Sequence, residues 1–190
     1  MSERSPQSIR AEALEALLIE KGFLKAEDVD DVIARYSERV GPLNGARVVA
    51  RAWTDKRFRD DLLRDGSAAV SPYQFEGGQV EKLVVVANTP AIHNVVVCTL
   101  CSCYPWALLG LPPKWYKDPE YRSRIVREPR KVIGEMGFEV AAGKSIKVWD
   151  SSAEIRYLVL PEPPENLLQY DENELPGLVS RDGMIGVAER

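Results

Sequence analysis

All three cysteines of this 190-residue chain lie within six residues, in the run Val97-Cys98-Thr99-Leu100-Cys101-Ser102-Cys103-Tyr104-Pro105-Trp106. An odd number of thiols in so short a C-x-x-C-x-C loop cannot build a disulfide framework without strain. The remaining reading is a metal claw, and it constrains the fold because the backbone has to turn sharply to aim three sulfurs at one point. The preceding run Asn94-Val95-Val96-Val97 is β-branched and predicts a buried strand, so the sulfurs are expected at a strand end, a rigid place from which to hold an ion.

A structural zinc site normally takes four side-chain ligands. No fourth cysteine exists, and the single histidine, His93, is carried about 16 Å from Cys98 by the extended segment between them. His93 is therefore expected to be structural. The nearest remaining donors are the main-chain amides of Ser102 and Cys103. A peptide nitrogen binds a metal only after losing its proton, which requires a strongly Lewis-acidic, trivalent ion and favours iron(III) or cobalt(III) over zinc.

At these residues the chain resembles nitrile hydratase α subunits. The likeness extends through Asn88-Thr89-Pro90, His93-Asn94-Val95-Val96-Val97, Gly110-Leu111-Pro112-Pro113, Trp115-Tyr116-Lys117 and Tyr121-Arg122-Ser123-Arg124-Ile125-Val126-Arg127-Glu128-Pro129-Arg130. It continues in Val148-Trp149-Asp150-Ser151-Ser152-Ala153-Glu154-Ile155-Arg156-Tyr157 and Arg181-Asp182-Gly183-Met184-Ile185-Gly186, and so covers nearly the whole chain.

The resemblance implies an α+β fold: a helical, partner-contacting N-terminal arm over residues 1–66, then a layered α-β-β-α catalytic domain over 67–190 that ends in an extended tail. It implies an enzyme, a lyase hydrating a nitrile to the amide. The metal would be held by the sulfurs of Cys98, Cys101 and Cys103 and by the amide nitrogens of Ser102 and Cys103. Two cysteines would be oxidised, Cys101 to a sulfinic and Cys103 to a sulfenic acid, their oxygens held by arginines of a β subunit. Thr99 and Tyr104 point to non-corrin cobalt(III) rather than iron(III). Such an ion polarises a bound nitrile or acidifies bound water, so that hydroxide or sulfenate oxygen attacks carbon.

By the same resemblance Cys103, Ser102 and Gln79 are catalytic, Ser102 also through its hydroxyl, and Trp106 lines the substrate pocket. Lys117, Asp150, Glu154 and Arg156 form a polar network behind the claw that fixes the loop; as isolated charges they read equally well as surface ion pairs. Trp106 and Trp115 also have a plain core reading. The implied partners are one or two β-type chains, a maturation chaperone and the nitrile. Two departures, Val80 between Gln79 and Glu81, and Ala87 before Asn88, suit a specialised branch such as one resembling toyocamycin nitrile hydratase. The rival enzyme reading is the metal-carrying subunit of thiocyanate hydrolase. The rival from another class is a non-catalytic zinc or copper-binding module.

A net charge of −4 argues against a nucleic-acid face, and 45% hydrophobic with 28% charged residues is a globular composition. The polar N-terminus and the lack of any long apolar run predict a cytoplasmic protein with no membrane span.

Apolar spacing predicts helices from Ser8 to Lys21, from Ala26 to Val40 with Val29, Val32, Ile33 and Tyr36 on one face, from a cap at Asn44 to Trp53, and from a cap at Asp55 to just before Gly66. The arm's stripes must cover either the chain's own sheet or another subunit. Residues 71–78 read as loop, Lys82 to Ala87 as strand, 108–119 as irregular, and Pro129 to Met136 as helix. Ser145 to Trp149 and Glu154 to Leu160 read as strands joined by a hairpin or a tight corner. The proline-rich tail from Pro161 reads as mostly extended and surface-bound.

Overall fold

In a computed structural model, which describes residues 6–34, 40–75 and 82–190, the chain has the expected α+β fold. Helices α1 (Pro6–Glu20) and α2 (Ala26–Ala34) come first and contain no buried residue. Their apolar stripes, Ile9, Leu14 and Leu17 on one and Val32 and Ile33 on the other, are exposed, as is Phe23 beyond α1, so neither helix covers the sheet of its own chain. Tyr36, expected on the α2 face, lies outside the described residues.

Helix α3 (Pro42–Thr54) begins four residues before the first of its core alanines and valines. Gly41 occupies its N-cap and Pro42, which needs no N–H partner there, its first position. Asn44 is consequently not the cap: it is buried one turn into the helix and donates its side-chain amide to the Ala107 carbonyl at 2.9 Å. A Cβ on the adjacent Gly45 would stand 2.9 Å from the Leu108 carbonyl oxygen, so only glycine permits this approach. Asp55 does cap α4 (Lys56–Arg64), accepting from the Phe58 N–H at 2.9 Å, and Asp65 caps α5 (Gly66–Val70) in the same way.

Strands β1 (Lys82–Ala87) and β2 (Ile92–Val97) follow the β-branched runs. β3 (Ser145–Asp150) and β4 (Ile155–Leu160) are consecutive yet do not pair with each other. β4 pairs in parallel with β1, Lys82 opposite Ile155, and β3 in parallel with β2, Ile92 opposite Ser145. The turn between β3 and β4 is therefore the tight corner, and the hairpin is excluded. The two strand pairs meet where β2 touches β4. Helices α4 and α5 pack on β1, and α8 (Pro129–Glu135) packs on β3, completing an α-β-β-α layering. Ala46, Val49, Leu62, Leu83, Val95, Leu158 and Ile133 belong to one continuous core cluster through these layers. Each large aliphatic side chain sealed there contributes about 1.5–3 kcal/mol.

Residues 108–119 are more regular than their prolines suggest: α6 (Trp106–Leu109) is followed by a 3₁₀ turn, Lys114–Lys117, and by α7 (Pro119–Ile125), which Asp118 caps. The tail is also corrected. It ends in α9 (Arg181–Ile185), whose Met184 and Ile185, with Val187 beyond, are buried, because α9 lies against α3, β2 and β4. Gly186, at φ 94°, lets the chain pass so close to β2 that a Cβ would fall 2.0 Å from the Asn94 oxygen. No helix among the described residues is long and apolar enough to cross a membrane.

Candidate metal centre

The parallel register that sets Val97 opposite Asp150 ends β2 and β3 side by side, and Ser151 N–H donates to the Val97 carbonyl at 2.7 Å. Out of that rigid edge the chain turns back on itself. Cys101 N–H points at the Cys98 sulfur, 3.3 Å away. The sulfurs of Cys98 and Cys101 are 3.5 Å apart and those of Cys101 and Cys103 3.1 Å. All three lie within 4.8 Å of one another, and no other such group of histidine, cysteine or acidic side chains occurs among the described residues. Cys98 and Cys103 are buried and Cys101 is exposed, so the cluster faces outward through Cys101.

The protonation of the thiols follows from this asymmetry. Cys101 is brought down to about 7, first by hydrogen bonds from Cys103 and Cys98 and then by the main-chain N–H groups of Ser102 and Cys103. Burial pushes Cys103 up to about 12, and the neighbouring thiols add to the rise against a small opposing effect of Arg156. The main-chain N–H groups of Ser102 and Cys103, the amides named from ligand scarcity, thus bear on the Cys101 sulfur. Three soft sulfurs beside two main-chain nitrogens suit a thiophilic trivalent transition ion, so the residues present fit the implied metal.

The loop is pinned from three sides. Asp150 accepts from the Thr99 N–H at 2.9 Å and from its hydroxyl at 2.6 Å. Arg122, on α7, donates to the Cys101 carbonyl at 3.0 Å. Tyr116 donates its hydroxyl to the Cys103 carbonyl at 2.9 Å. Beneath them Trp115 packs edge to face on Tyr116 and Tyr121, and Tyr104 on Tyr116, ring centroids 4.9–6.0 Å apart, and Tyr121 donates to the Val96 carbonyl at 3.0 Å. Burial raises the hydroxyls of Tyr104, Tyr116 and Tyr121 far above the ordinary phenol range, so all three are neutral donors.

Of the polar residues named from the sequence, Asp150 touches the claw directly, and Arg156 donates to the Ser152 carbonyl and lies near enough to bear on Cys103. Glu154 is exposed at the start of β4, its main chain pairing with Lys82 and Ser152, and Lys117 is exposed at the end of its 3₁₀ turn. Gln79 lies outside the described residues. Trp106 opens α6 three residues past Cys103 and is 39% exposed, whereas Trp115 is packed among the tyrosines. His93 is buried away from the sulfurs. Its Nε2 donates to the Gly186 carbonyl at 2.8 Å and its Nδ1 accepts from the Asn88 amide at 3.4 Å.

Sequence reasoning missed the roles of Arg122 and Tyr116. The available signal was the placement of Arg122 beside Tyr121, a large aromatic that has to face the core and so brings its neighbour to the edge of the loop above it.

The family model for nitrile hydratase, alpha chain, matches residues 5–188. The cobalt-containing nitrile hydratase subunit alpha of Pseudonocardia thermophila is 52% identical over 179 residues, which is 94% of this chain and 88% of the relative. The thiocyanate hydrolase subunit gamma of Thiobacillus thioparus is 41% identical over 199 residues, 99% of this chain and 82% of that protein. Among solved structures, a double mutant of the Fe-type nitrile hydratase from Comamonas testosteroni Ni1 superposes with a TM-score of 0.88 at 39% identity, covering 98% of this chain and 91% of that one.

Proposed function

The chain belongs to the nitrile hydratase α-chain family, and from that premise we propose that it carries the metal of a hydratase that converts a nitrile to its amide. The observation that carries the reading is the convergence of the Cys98, Cys101 and Cys103 sulfurs within 4.8 Å. The ion is non-corrin cobalt(III), in line with the cobalt-containing relative; iron(III), the metal type of the structural neighbour, is the less favoured choice. A trivalent ion held here supplies a Lewis acid that makes the nitrile carbon open to attack by water.

The residues of the chain do the rest. Cys98, Cys101, Cys103 and the amides of Ser102 and Cys103 are the ligands. With dioxygen or peroxide as the external oxidant, Cys101, exposed and acidic, would take the heavier oxidation to sulfinic acid and Cys103 would become the sulfenic acid. The Ser102 hydroxyl orients the attacking water, Gln79 hydrogen-bonds nearby, and Trp106 forms an apolar wall for the substrate. Asp150 holds the loop through Thr99, Arg156 adds positive charge on the Cys103 side, and Glu154 and Lys117 complete the outer polar shell when the partner is bound.

That partner is a β-type subunit of one or two chains, embraced by the helical arm within residues 1–66, whose apolar stripes on α1 and α2 are exposed. A chaperone delivers the metal, and the assembly is cytoplasmic. Assaying the reconstituted α–β complex on an aliphatic nitrile, a heteroaromatic nitrile and thiocyanate tests the reading. Amide formation from a nitrile supports it; conversion of thiocyanate alone transfers the chain to the thiocyanate hydrolase reading.

A further inference from the structure

Arg122 is a cation that touches the backbone of the claw. Its Nη1 donates to the carbonyl oxygen of Cys101 at 3.0 Å, its Nε is buried with no hydrogen-bond partner, and no carboxylate pairs with it among the described residues. The side chain is half-buried and this bond is exposed, but the Nε is shielded from water without a partner, so a negative charge developing on the oxygen that Arg122 holds would strengthen its contact with the claw.

The Cys101 carbonyl and the Ser102 N–H are the two ends of one peptide unit. When the Ser102 nitrogen binds a trivalent ion, its N–H proton leaves to solvent, the nitrogen–metal bond forms, and the negative charge left on the peptide is shared by resonance with the Cys101 oxygen. That oxygen is the atom Arg122 already holds. We infer that Arg122 is a positioning residue for the metal centre, which orients the Cys101–Ser102 peptide and stabilises the charge this peptide bears once its nitrogen is a ligand. The inference rests on the ligand set proposed above.

The other two pins of the loop act differently. Tyr116, a neutral donor, holds the Cys103 carbonyl, which belongs to the next peptide along and carries no charge when the Cys103 nitrogen coordinates. Asp150 anchors the other end of the loop by accepting from Thr99, and a carboxylate cannot stabilise an anionic peptide.

A hydrogen bond whose acceptor changes from neutral to anionic gains enough to shift an equilibrium by roughly 10- to 100-fold. The test compares wild type, Arg122→Met and Arg122→Lys in the full α–β complex, each produced metal-free and then loaded with cobalt. The readouts are cobalt retained per α chain against a chelator, the sulfur-to-cobalt charge-transfer spectrum, and affinity for zinc(II), which thiolates bind without deprotonating an amide.

The expected result is that Arg122→Met loses cobalt roughly 10- to 100-fold more readily with an altered spectrum, that Arg122→Lys recovers most of the retention, and that zinc affinity is the same in all three. Equal cobalt retention in Arg122→Met, or a parallel loss of zinc binding that marks a general collapse of the loop, overturns the inference. Failure of the wild type itself to hold cobalt overturns the underlying ligand set instead, so the two failures are told apart.

Discussion

In the metal-free chain the three thiols should react in a steep order with Cys101 first. Cys101 titrates near 7 and Cys103 near 12, so at neutral pH about half of Cys101 is thiolate against roughly one part in 10⁵ of Cys103. The less acidic thiolate is the better nucleophile by about 0.4–0.5 of a decade for each step in pKa, which returns roughly two decades to Cys103. The net preference is then a few hundred-fold, before the burial of Cys98 and Cys103 adds its own barrier. Timed alkylation of protein produced without cobalt, read by peptide mass spectrometry, should show Cys101 labelled first, at a rate rising with pH to a plateau above about 8. Labelling of Cys103 as fast as Cys101 would refute the view that the outward sulfur is the activated one.

Asp150→Ala removes both bonds to Thr99 and should cost the loop about 1–2 kcal/mol of local order, seen as hydrogen exchange at residues 99–103 that is faster by roughly 5- to 30-fold while the core is unchanged. His93 is held below its ordinary 6.5 mainly by burial, with Lys144 and Arg130 lowering it further and the Gly186 carbonyl and Glu162 opposing. The unfolded chain then binds the extra proton first as pH falls, so stability is full above about 6.5 and declines below it by at most about 1.4 kcal/mol per pH unit; unfolding midpoints from pH 7.5 to 5 should lose that His93-linked part of the slope in His93→Gln. Gly186→Ala should lower stability by about 2–4 kcal/mol, because its Cβ meets the Asn94 oxygen and its φ is positive; thermal denaturation checks this, and an unchanged midpoint would show that α9 can move off β2.

Local signals were legible wherever one residue type has one local meaning. Asp55 caps its helix, the β-branched runs are strands, and the sulfurs stand at the end of β2 as their spacing required. What stayed hidden depends on partners far along the chain. Asn44 looks like a cap until Ala107, 63 residues on, gives its amide a buried acceptor. Two strands four residues apart look like a hairpin until β1 and β2 claim them in parallel. The prolines of the tail disguise a segment that returns to seal the core with Met184 and Ile185. At the claw, the convergence of the three sulfurs could be read from the cysteine spacing, whereas Arg122 and Tyr116 act on carbonyl groups, which every residue has and no pattern marks.

The central claim is that Cys98 to Cys103 wrap a trivalent ion with sulfur and main-chain nitrogen. Elemental analysis of the mature α–β assembly, joined to mass spectrometry of the peptide spanning these residues, tests it most directly. The account predicts close to one cobalt per α chain, two added oxygens on Cys101 and one on Cys103. Stoichiometric zinc with three unmodified thiols would contradict it.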